Sequence, residues 1–123
     1  MRLLVVDDEL DTAQTIALLL THDGHKVSYA VTGKAALELA VQERPNVIVL
    51  DLGLPDMDGI ELARRLKALD AGRQARIVAV TGRMHDAEPL ARAAGCERLL
   101  RKPVSPQALD AIIREGAEPR SKE

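Results

Sequence analysis

Val47-Ile48-Val49-Leu50 runs without a polar break into Asp51, and the loop Leu52-Gly53-Leu54-Pro55-Asp56-Met57 separates it from Asp58-Gly59. A short aliphatic and β-branched run with no alternation reads as a strand buried on both faces, the habit of parallel sheets. Three other runs stop in the same way. Leu3-Leu4-Val5-Val6 ends at Asp7-Asp8, Ile77-Val78-Ala79-Val80 ends at Thr81, and Leu99-Leu100 leads through Arg101 to Lys102-Pro103. Open α/β sheets bind ligands at the carboxyl ends of their strands. If these runs are parallel neighbours, three carboxylates, a hydroxyl and an ammonium meet at one edge.

Helical patterns fill the spaces between the runs. Strand one is expected over 2–6, and helix one over 10–22 with Leu10, Ala13, Ala17 and Leu20 on one stripe. Lys26–Ala30 is the least apolar strand and so an edge. Thr32 caps helix two, whose Ala36, Leu37, Ala40 and Val41 are expected to face inward. Strand three is 47–51. Asp58 N-caps helix three, and Glu61 three residues on resembles a capping box. That helix runs through Leu62, Ala63, Leu66 and Leu69 to a stop near Asp70-Ala71-Gly72. Strand four is 76–81, helix four about 86–94 with Gly95 at its left-handed end, and strand five 98–101. Ser105-Pro106 opens helix five, which buries Leu109, Ile112 and Ile113. Residues 1–116 thus read as one domain and 117–123 as a flexible tail. Five alternations give an α/β fold, a doubly wound parallel sheet with right-handed crossovers. With no element after helix five, a DNA-binding or catalytic output domain is not expected in this chain.

Composition narrows the function. At 123 residues and 46% apolar the chain can bury one core, and no apolar run is long enough to span a bilayer. The single cysteine, Cys96, excludes an internal disulfide, reads as a small buried residue, and points to the cytoplasm. Tyr29 is the only aromatic residue, so nucleic acid has no stacking platform. Residues 1–60 hold four Lys/Arg against ten Asp/Glu, and 61–123 hold thirteen against nine. Solvated helix faces account for that asymmetry as well as a cation site in the first half and a partner or phosphate surface in the second. His22, His25 and His85 lack metal-ligand spacing and read as surface residues at helix ends or in loops.

Gathered together, Asp7, Asp8 and Asp51 would repel: two unit charges about 4 Å apart cost roughly 4 kcal/mol at an effective dielectric near 20. Such a cluster raises its own pKa values or recruits a counter-charge, and a hard divalent cation, Mg²⁺ by preference, suits one or two carboxylates plus a phosphate oxygen. Helix capping explains one aspartate near the first helix, Asp8 or Asp11, but not Asp51, because helix three has Asp58 for its cap. A carboxylate nucleophile, a cation, the Thr81 hydroxyl and the Lys102 ammonium are the parts phosphoryl transfer needs.

These motifs, Val-Val-Asp7-Asp8-Glu9, Val-Leu-Asp51-Leu-Gly-Leu-Pro55-Asp-Met-Asp58-Gly59, Val-Thr81-Gly82 and Lys102-Pro103, resemble the receiver domain of two-component response regulators over residues 2–115. The resemblance implies a flavodoxin-like (βα)5 sheet of five parallel strands in the order 2-1-3-4-5. It implies that Asp51 accepts a phosphoryl group from a sensor histidine kinase or a histidine phosphotransfer protein. Asp8, Asp51 and the Gly53 carbonyl would hold Mg²⁺, with Asp7 acting through water. Lys102 would pair with the phosphoryl oxygens, and its bond to Pro103 is expected to be cis. Thr81 would hydrogen-bond the phosphoryl group, and small Gly82 would leave the acceptor accessible. Partners would be proteins, neither nucleic acid nor membrane, with an unidentified downstream target and a monomer or weak dimer formed through helix four, strand five and helix five.

Two positions depart from the family's habit. Leu99 stands three residues before the lysine, where many receivers carry Tyr or Phe coupled to the threonine, so an aromatic rotamer switch is not expected. Pro89 lies early in a short helix four. Leu-Gly-Leu-Pro and Leu-Arg-Lys-Pro-Val are also similar to receivers of hybrid histidine kinases, which leaves open a domain cut from a larger protein. A Mg²⁺-dependent phosphohydrolase would use the same aspartyl phosphate, but Gly53 stands where its second acid/base aspartate belongs. A phosphorylation-independent binding module would have no need of the intact set. The chain is therefore expected to be no enzyme beyond catalysing its own phosphorylation and dephosphorylation.

Overall fold

The computed structural model describes residues 1–70, 74–82 and 87–117. Among these, β1 (Arg2–Val6), α1 (Leu10–His22), β2 (Lys26–Ala30), α2 (Gly33–Glu43), β3 (Val47–Asp51), α3 (Gly59–Ala68), β4 (Arg76–Thr81), α4 (Ala87–Ala93), β5 (Cys96–Arg101) and α5 (Pro106–Ala117) follow in turn. The five strands form one parallel sheet in the order β2-β1-β3-β4-β5. Strand parity divides the interior into two cores. Leu4, Val6, Ile48, Leu50, Ile77 and Ala79 pack with Ala36 and Ala40 of α2, Leu62, Ala63 and Leu66 of α3, and Ala91 of α4. The alternate residues Leu3, Val5, Val47, Val49, Val78 and Val80 pack on the other face with Ala13 and Leu20 of α1 and Leu109, Ile112 and Ile113 of α5. Both faces of the central strands are covered, which is why their sequences carry no alternation.

The expected helix starts are in place. Thr32 Oγ1 accepts the Ala35 N–H at 3.1 Å, Asp58 Oδ1 accepts the Ile60 N–H at 3.0 Å, and Ser105 Oγ accepts the Ala108 N–H at 3.1 Å. Gly95 ends α4 with φ of 102°, and the Lys102-Pro103 bond is cis. Elsewhere the structure corrects the sequence reading. Glu61 does not turn back on Asp58 as a capping box would; it accepts from Arg64 and Arg65, each at 3.2 Å. Leu10 and Val41 are exposed rather than inward. The buried stripe of α1 starts one turn later at Ala13, and Val41 is about 100° around the helix from Ala40, off the stripe. Strand β5 starts two residues early, because Cys96 pairs with Ile77 and Arg98 with Val78, leaving Glu97 as the extra residue of a bulge. Its side chain is anchored by Arg76 Nη2 at 2.6 Å. Helix α5 includes Ala117, one residue past the expected domain end. Residue 86 of the expected helix four, Ala71-Gly72, His85 and residues 118–123 of the expected tail lie outside the described residues.

His25 is the largest departure. Expected on the surface, it is buried with its Nε2 3.0 Å from Asp110 Oδ1. Arg114 holds the other oxygen of Asp110 at 2.7 Å and donates to the Asp23 carbonyl at 2.9 Å, fastening α5 to the turn after α1. Burial alone would raise the Asp110 pKa, but the hydrogen bonds from Arg114 and His25 outweigh it and hold the carboxyl below its usual range. At the end of α5, Arg76 donates to the Ile112 and Ile113 carbonyls at 3.1 and 2.9 Å. Two separate clamps therefore fix the second half of this helix.

The start of α3 is set by a close approach. A Cβ at Gly59 would lie 2.4 Å from Leu52 Cα and 2.6 Å from the Leu52 carbonyl oxygen, backbone that has little room to shift. Urea unfolding should show Gly59→Ala losing about 1–3 kcal/mol through overpacking, despite alanine's better helix propensity. An unchanged or higher midpoint would mean that the loop yields freely.

Candidate functional site

Parallel pairing carries the ends of β1, β3 and β4 to one edge, and the segment after β5 joins them. Asp7 follows β1, and its N–H donates to the Ala30 carbonyl at 3.1 Å, so the backbone is still held in the sheet there. Asp51 is the last residue of β3 and has the parity of Val47 and Val49, on the α1/α5 face. Thr81 ends β4 with the opposite parity, that of Ile77 and Ala79. Lys102 follows β5, its N–H bonded to the Thr81 carbonyl at 2.9 Å. Asp7, Asp51 and Thr81 are buried, Lys102 is partly buried, and Asp8 is exposed.

The carboxylates form one group. Asp7, Asp8 and Asp51 each offer an oxygen within 4.8 Å of the others. Lys102 Nζ donates to Asp51 Oδ2 at 2.8 Å and lies 4.0 Å from Asp7 Oδ2. The Gly53 N–H donates to Asp51 Oδ1 at 2.9 Å, and the Glu9 N–H donates to Asp7 Oδ1 at 2.9 Å. Asp7, rather than Asp8 or Asp11, thus serves an amide at the start of α1, whose N-cap Glu9 has no side-chain cap bond. Three carboxylates against one ammonium leave an excess of negative charge. Hard oxygen donors at this spacing fit a divalent cation such as Mg²⁺.

Burial and charge shift two of these groups. Desolvation, with help from the Asp51 and Asp8 charges, raises the Asp7 pKa against the opposing effects of the Glu9 amide and Lys102. Partial burial works against the Lys102 ammonium, but the hydrogen bond and charge of Asp51, with Asp7 and Asp8 beyond, hold its pKa above the usual lysine value. Lys102 is accordingly a fixed cation at neutral pH. Burial also pushes the Cys96 thiol up to about 11, which leaves it an inert core residue.

Beneath the acidic group lies a cavity of about 260 Å³ between α1, α5 and the sheet, with Val5, Val49, Val80, Ile16, Val104 and Leu109 in its walls. Gly82 is exposed, and a Cβ there would meet nothing within 4 Å. Leu99, on the same parity as Thr81, packs against the α2–α4 core. Sequence reading missed Asp56. Its carboxylate accepts the Gly33 N–H at 2.9 Å and the Lys34 N–H at 3.3 Å, so a residue of the β3–α3 loop caps α2. The hydrogen bond from Gly33 lowers the Asp56 pKa. The two partners are 23 residues apart, and no local pattern announces the contact.

Comparison with known proteins places these observations. Residues 3–114 match the family model described as response regulator receiver domain. The transcriptional regulatory protein AfsQ1 of Streptomyces coelicolor is 36% identical over 113 residues, covering 91% of this chain and 49% of that protein. The chain therefore spans about half of that relative. It covers 88% of an uncharacterised 14.6 kDa protein of Leptolyngbya boryana, at 35% identity over 117 residues and 94% of this chain. The crystal structure of a CheY-like receiver domain protein from Methanospirillum hungatei superposes with a TM-score of 0.89 at 30% identity, covering 98% of this chain and 96% of the other.

The raised Asp7 pKa has a testable sign. A carboxyl whose folded pKa lies above its unfolded value costs stability while ionised, and the cost vanishes as the pH falls below the unfolded value, about 3.9. In EDTA at pH 7, Asp7→Asn should be more stable than the native chain in urea, and the two should converge below about pH 4. An Asp7→Asn chain no more stable at pH 7 would contradict this electrostatic account.

Proposed function

The chain belongs to the response regulator receiver domain family, and on that premise we propose that it accepts a phosphoryl group on Asp51 in a Mg²⁺-dependent reaction. The observation that carries this reading is the Lys102–Asp51 pair at 2.8 Å, with Asp7 and Asp8 beside it, on the carboxyl edge of a parallel sheet. The phosphodonor is a phosphohistidine of a sensor kinase or phosphotransfer protein. Asp8, Asp51 and the Gly53 carbonyl would hold the metal, with Asp7 acting through water. Bound Mg²⁺ supplies charge neutralisation for the carboxylates and the incoming phosphoryl oxygens.

The remaining work falls to the side chains. An Asp51 carboxylate oxygen attacks phosphorus while the N–P bond to the donor imidazole breaks, giving an acyl phosphate and a free histidine. The Gly53 N–H keeps the Asp51 carboxylate oriented through Oδ1. Lys102 moves its hydrogen bond from the Asp51 carboxylate to a phosphoryl oxygen, so its charge stays paired as the site gains negative charge. The Thr81 hydroxyl donates to another phosphoryl oxygen and reports the modified state. Gly53 at the second position after Asp51 provides no carboxylate for acid/base turnover, which favours a receiver over a phosphohydrolase.

The modified state biases two conformations and signals through protein contacts on α4, β5 and α5, as a monomer or weak dimer. With Leu99 in place of an aromatic residue, that change runs through movements of α4 and β5 rather than a ring swing. The reading places the protein in the cytoplasm; no helix among the described residues is long and apolar enough to cross a membrane. Incubation with a small acyl phosphate and Mg²⁺ should add one phosphoryl group to the intact mass of the native chain, and EDTA should prevent it. Uptake by Asp51→Asn equal to that of the native chain would remove Asp51 from its role.

A further inference from the structure

The loop that joins β3 to α3 carries Gly53, and it is fastened at three places. Its beginning is tied by the Gly53 N–H to Asp51 Oδ1 at 2.9 Å. Its end is set by the Asp58 cap on α3 and by Gly59 against the Leu52 backbone. Its middle leans on another helix altogether. Asp56 places one carboxylate oxygen on the Gly33 N–H at 2.9 Å and the other on the Lys34 N–H at 3.3 Å. Met57 beside it packs so closely on Gly33 that a Cβ there would lie 3.1 Å from Met57 Sδ and 3.2 Å from Met57 Cβ.

Helix α2 does not need Asp56 for its own start. Thr32 already caps it through the Ala35 N–H. The two amides that Asp56 takes are orphan donors of the first turn, and the helix dipole favours a carboxylate there. Helix α2 is in turn rooted in the core through Ala36 and Ala40, both fully buried. The clip therefore joins a loop to a rigid element, and the loop segment between Asp51 and Asp56 holds Gly53.

We propose that Asp56 is a positioning residue for the cation site: by clipping the β3–α3 loop to the N-terminus of α2, it holds the Gly53 backbone where its carbonyl can serve the metal. This rests on the reading of Asp8, Asp51 and Gly53 as the metal-holding set. Residues that orient metal ligands from outside the coordination shell commonly change metal affinity by about 10–100-fold when lost. Asp56 touches neither metal nor phosphoryl group in this account, so its effect is on affinity through geometry. Gly33 is its counterpart on the helix, since a Cβ there would press on Met57 at 3.1–3.2 Å and require that side chain to give way.

Calorimetric titration of the 123-residue chain with MgCl2 tests the assignment. The variants are Asp56→Ala, Asp56→Asn and Thr32→Ala, each with its thermal midpoint measured. Asp56→Ala should weaken Mg²⁺ binding about tenfold. Asp56→Asn, which keeps an oxygen for the Gly33 N–H, should fall between it and the native chain. Thr32→Ala removes a cap from the same helix without touching the loop; it should lower the thermal midpoint and leave Mg²⁺ affinity within about twofold of native. Native affinity in Asp56→Ala would overturn the inference and leave the phosphoacceptor reading standing. An equal loss in Thr32→Ala would assign the effect to helix stability and overturn it too. Failure of the native chain to bind Mg²⁺ would bring down both.

Discussion

The Lys102–Asp51 ion pair is the contact on which the other features of the acidic edge converge. Asp51 ends a strand that is buried along its whole length, so its carboxylate cannot leave the edge for solvent. Lys102 neutralises one charge of three, and the hydrogen bond keeps it in the charged form. A net negative group remains in a partly desolvated place. That imbalance is costly in the resting protein and favours a divalent cation there.

Holding such a group requires a frame that does not relax around it. The two cores, one on each face, provide it, and strand parity decides which functional side chain meets which core. Asp51 continues the line of Val47 and Val49 toward α1 and α5; Thr81 continues that of Ile77 and Ala79 toward α2, α3 and α4. The Asp51 carboxylate and the Thr81 hydroxyl thus face different helical layers. Leu99 shares the layer of Thr81 and is packed into it. At that position the layer carries an aliphatic side chain and no aromatic ring.

Much of this was legible in the sequence because the informative signals are local. An unbroken aliphatic run followed by Asp51, a Thr32 or Asp58 cap, and Ser105-Pro106 each describe their own neighbourhood, and neighbouring strands then follow from chain order. What escaped depends on partners far apart in the chain. His25 reads as a loop residue until Asp110, 85 positions on, is brought against it. The bulge at Glu97 is anchored by Arg76 in the adjacent strand, and polar Glu97 hid the true start of β5 at Cys96. Asp56 reads only as a loop residue after Pro55, since nothing nearby shows that its carboxylate reaches the first amides of α2. Val41 carried the right hydrophobicity but not the right angle about its helix. Leu10 has nearly the angle of Ala17 and is exposed because it opens α1, one turn before the buried stripe.

The central claim is that one carboxylate of the three, Asp51, forms the acyl phosphate. Borohydride reduces an acyl phosphate to the alcohol and so marks the position of the modified carboxyl. After incubation with a small acyl phosphate and Mg²⁺, reduction followed by peptide mass mapping should find homoserine at position 51 and nowhere else. Conversion of Asp7 or Asp8 instead, or a phosphoryl group retained on a histidine with position 51 unchanged, would contradict the account.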